Sequence, residues 1–424
     1  MILYYKFKNF MSFKDNVEFS LCAPHTKVKK RFPNNYVSKD NGSELLKTAV
    51  IVGENAGGKS NFVESLNYFK AFFINTKRVH SYRYAINTNN LKTRCPLVCD
   101  TTQMFETEIS IGNELYRYIL RIDYFGIVDE HLMIKTSYKQ KYKTILEVKR
   151  TSVHNICKQT SDNYEECTAK ECDGKAEVFY EIKTPEFDKN ITNTLKDTTE
   201  KGNSIGLFIT KLSILGYEPA VRFTDWVKNK LLPETNIINY DLYMQLRNEE
   251  NNLRILNDDK YLEIFRMVDY SITGIEIDEE KPYSKTRIIR KNADGKIFSR
   301  ELSEDSSGVR EFLAWSVQIY KVVYENAVVF ADEMDRVLNP ILSDRVIAFI
   351  NGKEHYGQFV FTTHNVLHLD LKNYMKEQIY FITKDVESIE SELYSLADFP
   401  EIRYETTKIY EFYMKGILGG TAFE

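Results

Sequence analysis

Apolar side chains recur along this chain with two different periods. Residues 1–24 alternate in the two-residue rhythm of a pair of strands joined across residues 9–14, and a polar loop is expected from there to about residue 46. Residues 48–52 (Thr-Ala-Val-Ile-Val) form the short apolar run of a buried strand. The spacing then becomes helical from residue 61 to about 73, with Phe62, Leu66, Phe69, Phe72 and Phe73 on a recurring face. Residues 76–100 are polar and irregular, and strands at 105–111, 116–122 and 127–132 predict an antiparallel meander. The stretch 139–200 is charged and poor in aliphatics. Residues 205–268 predict mainly helices, with Trp226, Leu231, Leu232, Tyr243, Met244 and Leu246 as core candidates. Strand texture returns near residue 275, a helix is predicted over 309–324, and buried strands are predicted at 327–331, 359–361 and 379–382.

Between the run at 48–52 and the helix lies Gly53-Glu54-Asn55-Ala56-Gly57-Gly58-Lys59-Ser60, which fits G-x-x-x-x-G-K-[ST]. Strand, glycine-rich turn and helix form the context that a phosphate-binding loop requires. Glycines let the backbone curl so that several N–H groups face one anion, and the helix N-terminus adds the positive end of its dipole. On this reading Gly53, Asn55, Ala56, Gly57, Gly58, Lys59, Ser60 and Asn61 cradle a nucleoside triphosphate. Lys59 reaches its β- and γ-phosphates, and the Ser60 hydroxyl ligates Mg²⁺. The competing reading is an ordinary glycine-rich turn between strand and helix.

The second half supplies groups that such a loop needs. Residues 328–333 (Val-Val-Phe-Ala-Asp-Glu) form an apolar strand ending in two acids, where Asp332 holds the Mg²⁺ shell and Glu333 polarises the attacking water as general base. One strand further on, residues 359–361 run into Thr362-Thr363-His364, which places an imidazole where a γ-phosphate can meet it; a capping or core histidine is the alternative. Upstream, Ser306, Ser307 and Gly308 open the helix at 309–324. Its N-terminus can receive the γ-phosphate held by a second molecule, or be a plain N-cap. Lys59 and Asp332 stand 273 positions apart, too far for a compact P-loop domain without an insertion. The expected division is therefore residues 1–138 as the N-terminal half of one domain, 139–265 as a partly helical insertion, and 266–424 as the C-terminal half.

Composition narrows the setting. A chain of 424 residues, 43% hydrophobic and 28% charged, is long enough for a large core or two to three domains. No apolar stretch approaches the roughly 18 to 20 residues that span a bilayer, and residues 1–7 lack the n-region and cleavage site of a signal peptide. Cys22, Cys95, Cys99, Cys157, Cys167 and Cys172 are scattered and too few for a disulfide scaffold, so a cytoplasmic location without membrane contact is expected. A net charge of −4 gives no global push toward nucleic acid. Two local basic stretches, residues 135–150 with Tyr138 and Tyr142 interleaved, and Lys27, Lys29, Lys30 and Arg31, leave DNA open as a partner. An exposed strand face and a solvated loop are the plainer readings. His154, Cys157, Cys167 and Cys172 have the residue types for zinc at no standard spacing.

The order of these motifs points to a class. Residues 9–14 (Asn-Phe-Met-Ser-Phe-Lys), the loop 53–60, Ser306-Ser307-Gly308, residues 331–335 (Ala-Asp-Glu-Met-Asp), Leu338-Asn339-Pro340, Thr362-Thr363-His364 and the tail 392–399 together resemble the ABC-type ATPases related to SMC, RecF and OLD proteins. Within them they are similar to the AAA-type ATPase subunits of phage-defence and abortive-infection systems of the AbiLi and PARIS AriA kind. The resemblance covers about 1–135 and 265–415. It implies an α/β fold: an ABC-type P-loop ATPase head with an N-terminal β-meander and a mainly helical insertion. It also implies ATP and Mg²⁺ as ligands and a head-to-head ATP sandwich, as a homodimer or higher homo-oligomer. One subunit then supplies Lys59, Ser60, Asp332, Glu333 and His364, and the other Ser306, Ser307 and Gly308. Gly57 stands where the family often has Ser, Asn339 replaces a frequent His, and Val309 stands where Thr is usual. Gln103 is the candidate for the Q-loop glutamine. No nuclease acid cluster follows Glu333, and the tail beyond His364 is too short for a Toprim domain. The expected function is therefore an ATPase sensor or regulator of a separately encoded effector, such as a nuclease, in anti-phage defence. The alternative is a DNA-repair or chromosome-maintenance ATPase of RecF or SMC type; for the SMC version, residues 139–265 offer no sustained heptads.

Overall fold

The computed structural model describes residues 1–74, 102–123, 126–154, 177–184, 191–195, 206–234, 250–281, 285–334, 340–385, 387–404 and 408–418. Seven strands pair antiparallel in a first sheet: β1 (Ile2–Lys8), β2 (Val17–Ser20), β6 (Gln103–Ile111), β7 (Glu114–Asp123), β8 (Gly126–Lys135), β9 (Lys143–His154) and β10 (Glu177–Lys183). Their order is β10-β9-β8-β7-β6-β1-β2. The expected meander is present and longer than predicted, because β9 and β10 carry it past the boundary placed at residue 138. The reason lies in β9, where Ile145, Leu146 and Val148 are buried while Lys143 and Lys149 are exposed. A strand solvated on one face shows few aliphatics.

The second sheet is mostly parallel. It contains β5 (Thr48–Gly53), β11 (Leu231–Glu234), β15 (Val328–Ala331), β16 (Gln358–Thr363), β17 (Ile379–Lys384) and β18 (Ser391–Ser395), in the order β11-β15-β16-β5-β17-β18, with only β18 antiparallel to its neighbour. Strand β11 falls where helix was expected. Four residues are too few to display a period, and Pro233, which has no N–H to give, is tolerated because β11 lies at the sheet edge. Leu231 is buried there, whereas Tyr243, Met244 and Leu246 lie outside the described residues. The expected polar loop before residue 46 contains a hairpin of β3 (Tyr36–Ser38) and β4 (Glu44–Leu46).

Successive side chains of a strand point to opposite faces, and both faces of this sheet are covered. Ala49, Ile51, Val328, Phe330, Val360 and Ile382 share one core with Phe62, Leu66 and Phe69 of α1 (Lys59–Ile74). The helices α2 (Phe208–Ile214) and α3 (Glu218–Asn229) belong to that side too, through Phe208 and Phe223. Val50, Val52, Val329, Ala331, Phe359 and Phe361 face a second core, shared with α4 (Glu250–Leu256), α5 (Asp259–Phe265), α6 (Ser307–Glu325), α7 (Pro340–Gly352) and α8 (Ile409–Met414). A small antiparallel sheet of β12 (Ile272–Glu276), β13 (Arg287–Lys291) and β14 (Ile297–Glu301) leads into α6. Among the described residues no helix is long and apolar enough to cross a membrane.

Candidate nucleotide-binding site

Parallel strands bring their C-terminal ends to one edge of a sheet, and ligands of open α/β sheets gather there. Pairing register decides which residues meet at that edge. Ala331 stands opposite Phe361, Thr363 opposite Val52, and Gly53 opposite Ile382. Asp332, His364 and the loop that begins at Gly53 therefore emerge side by side from β15, β16 and β5.

The loop is shaped by close approach. A Cβ on Gly53 would lie 2.4 Å from the Ile382 carbonyl oxygen, so β17 can run this near only against glycine. Gly58 has φ +119, and a Cβ there would lie 2.6 Å from Ser391 Oγ. Asn55 and Ala56 stand exposed at the crown of the loop, and Gly57 is buried beneath them.

Lys59 is buried at 4% exposure, and its ammonium donates to the carbonyls of Gly53 at 3.0 Å and Glu54 at 2.8 Å. It also lies 3.3 Å from His364 Nδ1. An ammonium has no lone pair, so Nδ1 accepts and the proton of the neutral ring sits on Nε2. Nε2 in turn lies 3.3 Å from Glu333 Oε1, to which it donates. His364 thus joins the loop lysine to the terminal acid of β15.

Thr362 organises both acids. Its hydroxyl donates to Asp332 Oδ1 at 2.6 Å and accepts the Glu333 N–H at 2.9 Å. Burial pushes the Asp332 carboxyl up from its ordinary value and neighbouring Glu333 adds to this, against hydrogen bonds from Thr362 and Ser60 and the charge of Lys59. A half-buried carboxylate facing a hydroxyl, with a second acid beside it, suits a hard cation that keeps much of its shell from water and phosphate. Glu333 itself has φ 48, a left-handed conformation that non-glycine residues adopt at a cost and mostly at functional sites.

A chain of side chains braces the loop from outside. Asn61, expected in the cradle, donates its amide to Ser12 Oγ at 2.7 Å. The Ser12 and Ser391 hydroxyls are 2.8 Å apart, and the Ser391 hydroxyl donates to the Gly57 carbonyl at 2.6 Å. Ser12 lies in a stretch that carried the family resemblance. Ser391 lies 334 positions from Gly57 and had no sequence signal at all. Gln103 is buried at the start of β6, where it donates to the Asn9 carbonyl at 2.8 Å.

Ser306, Ser307 and Gly308 stand apart from this cluster. Ser306 caps α6, its hydroxyl accepting the Val309 N–H at 3.4 Å, and Ser306 and Ser307 are exposed. The connection from α6 to β15 is two residues long, so the helix runs back along the strand. At about 1.5 Å per residue α6 spans about 28 Å, against about 13 Å for β15. Its N-terminus therefore projects well beyond the sheet edge. No hydrogen bond found among the described residues links it to the loop at 53–60. Nor do the described residues hold a group of three or more His, Cys, Asp or Glu arranged for a metal ion; the zinc candidates Cys157, Cys167 and Cys172, the side chain of His154, and Asn339 lie outside them.

A protein family described as "AAA domain, putative AbiEii toxin, Type IV TA system" matches residues 49–370. No curated protein matches the chain in sequence. Similar solved structures include the SMC head domain from Thermotoga maritima, with 11% identity, a TM-score of 0.44, and coverage of 93% of this chain and 98% of that one. An SMC head bound to the C-terminal winged-helix domain of ScpA has 14% identity, a TM-score of 0.43, and coverage of 93% and 97%. A third, an SMC head with an extended coiled coil bound to the C-terminal domain of ScpA from Pyrococcus furiosus, has 13% identity, a TM-score of 0.40, and coverage of 98% of both chains.

Proposed function

The chain belongs to this AAA-domain family, and from that premise we propose that it is an ABC-type ATPase that hydrolyses ATP at a site shared between two copies. The observation that carries the reading is the single cluster in which His364 joins Lys59 to Glu333 while Thr362 and Ser60 hold Asp332. Backbone N–H groups of residues 53–60 surround the phosphates, and Lys59 neutralises the β- and γ-phosphates. Ser60 and Asp332 would hold Mg²⁺, which would supply neutralisation of phosphate charge. Glu333 accepts the proton of the attacking water, and His364 keeps its carboxylate oriented. The N-terminus of α6 is exposed and, among the described residues, makes no hydrogen bond to its own loop, so Ser306, Ser307 and Gly308 serve the γ-phosphate bound by a second copy.

The biological role we infer is a cytoplasmic sensor or regulator of a separately encoded effector, such as a nuclease, in anti-phage defence. The family description, which places relatives in toxin–antitoxin systems, supports it. Glu333→Gln is expected to bind ATP yet accumulate as an ATP-bound oligomer, and Lys59→Ala to lose nucleotide binding. A normal hydrolysis rate in Glu333→Gln would remove Glu333 from its role. Purification from the native host separates the wider readings. A stable second polypeptide supports the effector role; strong stimulation by DNA without one replaces it with a DNA-handling ATPase of RecF or SMC type.

A further inference from the structure

We propose that the chain carries a second ligand site apart from the phosphate loop: an open cavity of about 600 Å³ that takes a small organic phosphate of mononucleotide size. Volumes of about 300–1,000 Å³ are typical of pockets that enclose small molecules. Three segments distant in sequence form its walls: residues 31–35, α7 and residues 372–374. On α7, Ile341, Arg345 and Ala348 recur at helical spacing and are all exposed, so one face of the helix is left for the cavity. None of the described lining residues belongs to the loop 53–60, and neither Asp332 nor Glu333 is among them.

Buried polar contacts tie these walls to the sheet. Asn35 donates its amide to the Asn373 carbonyl and to Gln378 Oε1, both at 2.8 Å, and Gln378 Nε2 donates to the Thr48 carbonyl at 2.9 Å. The Thr48 hydroxyl donates to Asn351 Oδ1 at 3.2 Å, which fixes the end of α7 to the same residue. Thr48 opens β5 and Gly53 closes it, so this bracing stands at the far end of the strand from the phosphate loop, about 17 Å away. A cavity held in this way is pre-formed, and a ligand spends little of its binding energy on ordering it.

The charge of the wall is one-sided. Its charged side chains are Arg31, Arg345, Lys372 and Asp344, three cations against one acid. Asp344 Oδ1 lies 3.3 Å from His368 Nδ1, whereas Lys372 and Arg345 form no ion pair among the described residues. Arg345 rests its guanidinium 4.8 Å from the centre of the Tyr270 ring. A planar guanidinium can pair two donors with two phosphate oxygens, and an ammonium adds a point charge. Phe32, Ile341 and Ile347 supply apolar surface for the body of the ligand. The wall also holds an orphan donor. Tyr374 is 1% exposed and its hydroxyl has no hydrogen-bond partner among the described residues; buried donors of this kind are rare and are met by an ordered water or a ligand.

The test is calorimetric titration of AMP and of inorganic pyrophosphate, without Mg²⁺, into the full Lys59→Ala chain, whose phosphate loop is disabled. Binding is expected, and adding Arg345→Glu with Lys372→Glu should weaken it about tenfold or more. Both positions are exposed, and the same two reversals in the chain with Lys59 intact should leave fluorescent-ATP binding unchanged, which shows that the fold survives. Arg345→Gln with Lys372→Gln, which only removes charge, is the milder second variant. A short DNA duplex separates free phosphates from a nucleic-acid backbone. AMP or pyrophosphate bound with the duplex ignored supports the proposal. A duplex bound through Arg345 and Lys372 while both small phosphates are ignored makes this a nucleic-acid surface and overturns it. So does the absence of any binding at millimolar concentration, or binding that survives both pairs of substitutions.

Discussion

Replacing Thr362 by valine keeps the shape and branching of the side chain while removing the hydroxyl that both acids share. Asp332 then loses a 2.6 Å hydrogen bond to its carboxylate, and the Glu333 N–H loses its 2.9 Å acceptor. A hydrogen bond to a charged group contributes about 1.5–3 kcal/mol, and about 1 kcal/mol is typical of a neutral one. At about 1.4 kcal/mol per factor of ten, the hydrolysis rate should fall about 10- to 100-fold. The direction with pH follows from Asp332. Burial already raises its carboxyl, and Thr362 is the first cause that lowers it. Without the hydroxyl the folded carboxyl takes up a proton at higher pH, so the acid limb of the activity profile moves upward and half-maximal activity requires more Mg²⁺. Hydrolysis should be measured against Mg²⁺ and pH, with fluorescent-nucleotide binding in EDTA as the control that stays unchanged because Lys59 is untouched. Thr362→Ser keeps the hydroxyl and should remain within a few-fold of the parent. If Thr362→Val hydrolyses ATP within twofold of the parent at all Mg²⁺ concentrations, Thr362 does not organise the acids.

Ser391→Ala leaves the Gly57 carbonyl without its 2.6 Å donor, and about 1 kcal/mol lost from loop ordering should raise KM for ATP about fivefold with kcat unchanged; a fall in kcat at constant KM would contradict a positioning role. Gly53→Ala drives a methyl to 2.4 Å from the Ile382 carbonyl, and overpacking of this kind costs about 1–3 kcal/mol, read as a lowered urea midpoint. His355 is buried with Nδ1 accepting the Gly357 N–H at 3.0 Å, and burial pushes its pKa down to about 4. Between pH 6.5 and 4 the unfolded chain binds a proton that the folded chain refuses, so about 3 kcal/mol of stability present above pH 6.5 is lost on acidification through that window. His355→Gln should flatten the stability profile between those pH values, and an unchanged slope would exclude His355 as its source.

Much of the site could be read locally because its chemistry is local. The Gly53–Ser60 loop announces itself through glycine spacing between a strand and a helix, and β15 and β16 each show an apolar run ending in reactive side chains. Texture failed in two places. Charged β9 looks like insertion because one of its faces is solvated, and Leu231–Glu234 becomes a strand only because β15, about a hundred residues away, offers it a parallel edge. Ser391 is an unremarkable serine until β17–β18 folds it onto Gly57.

The sequence by itself determined the residue types of the phosphate loop, the two acids, the histidine and the capped helix, because each depends on spacing within a few residues. Only the tertiary structure decided their grouping. Strand register placed Asp332, Thr362, His364 and Gly53 along one sheet edge, and the length and direction of α6 carried Ser306 beyond that edge. The register of β5 between β16 and β17 depends on pairing between segments more than 300 residues apart, which no local pattern encodes.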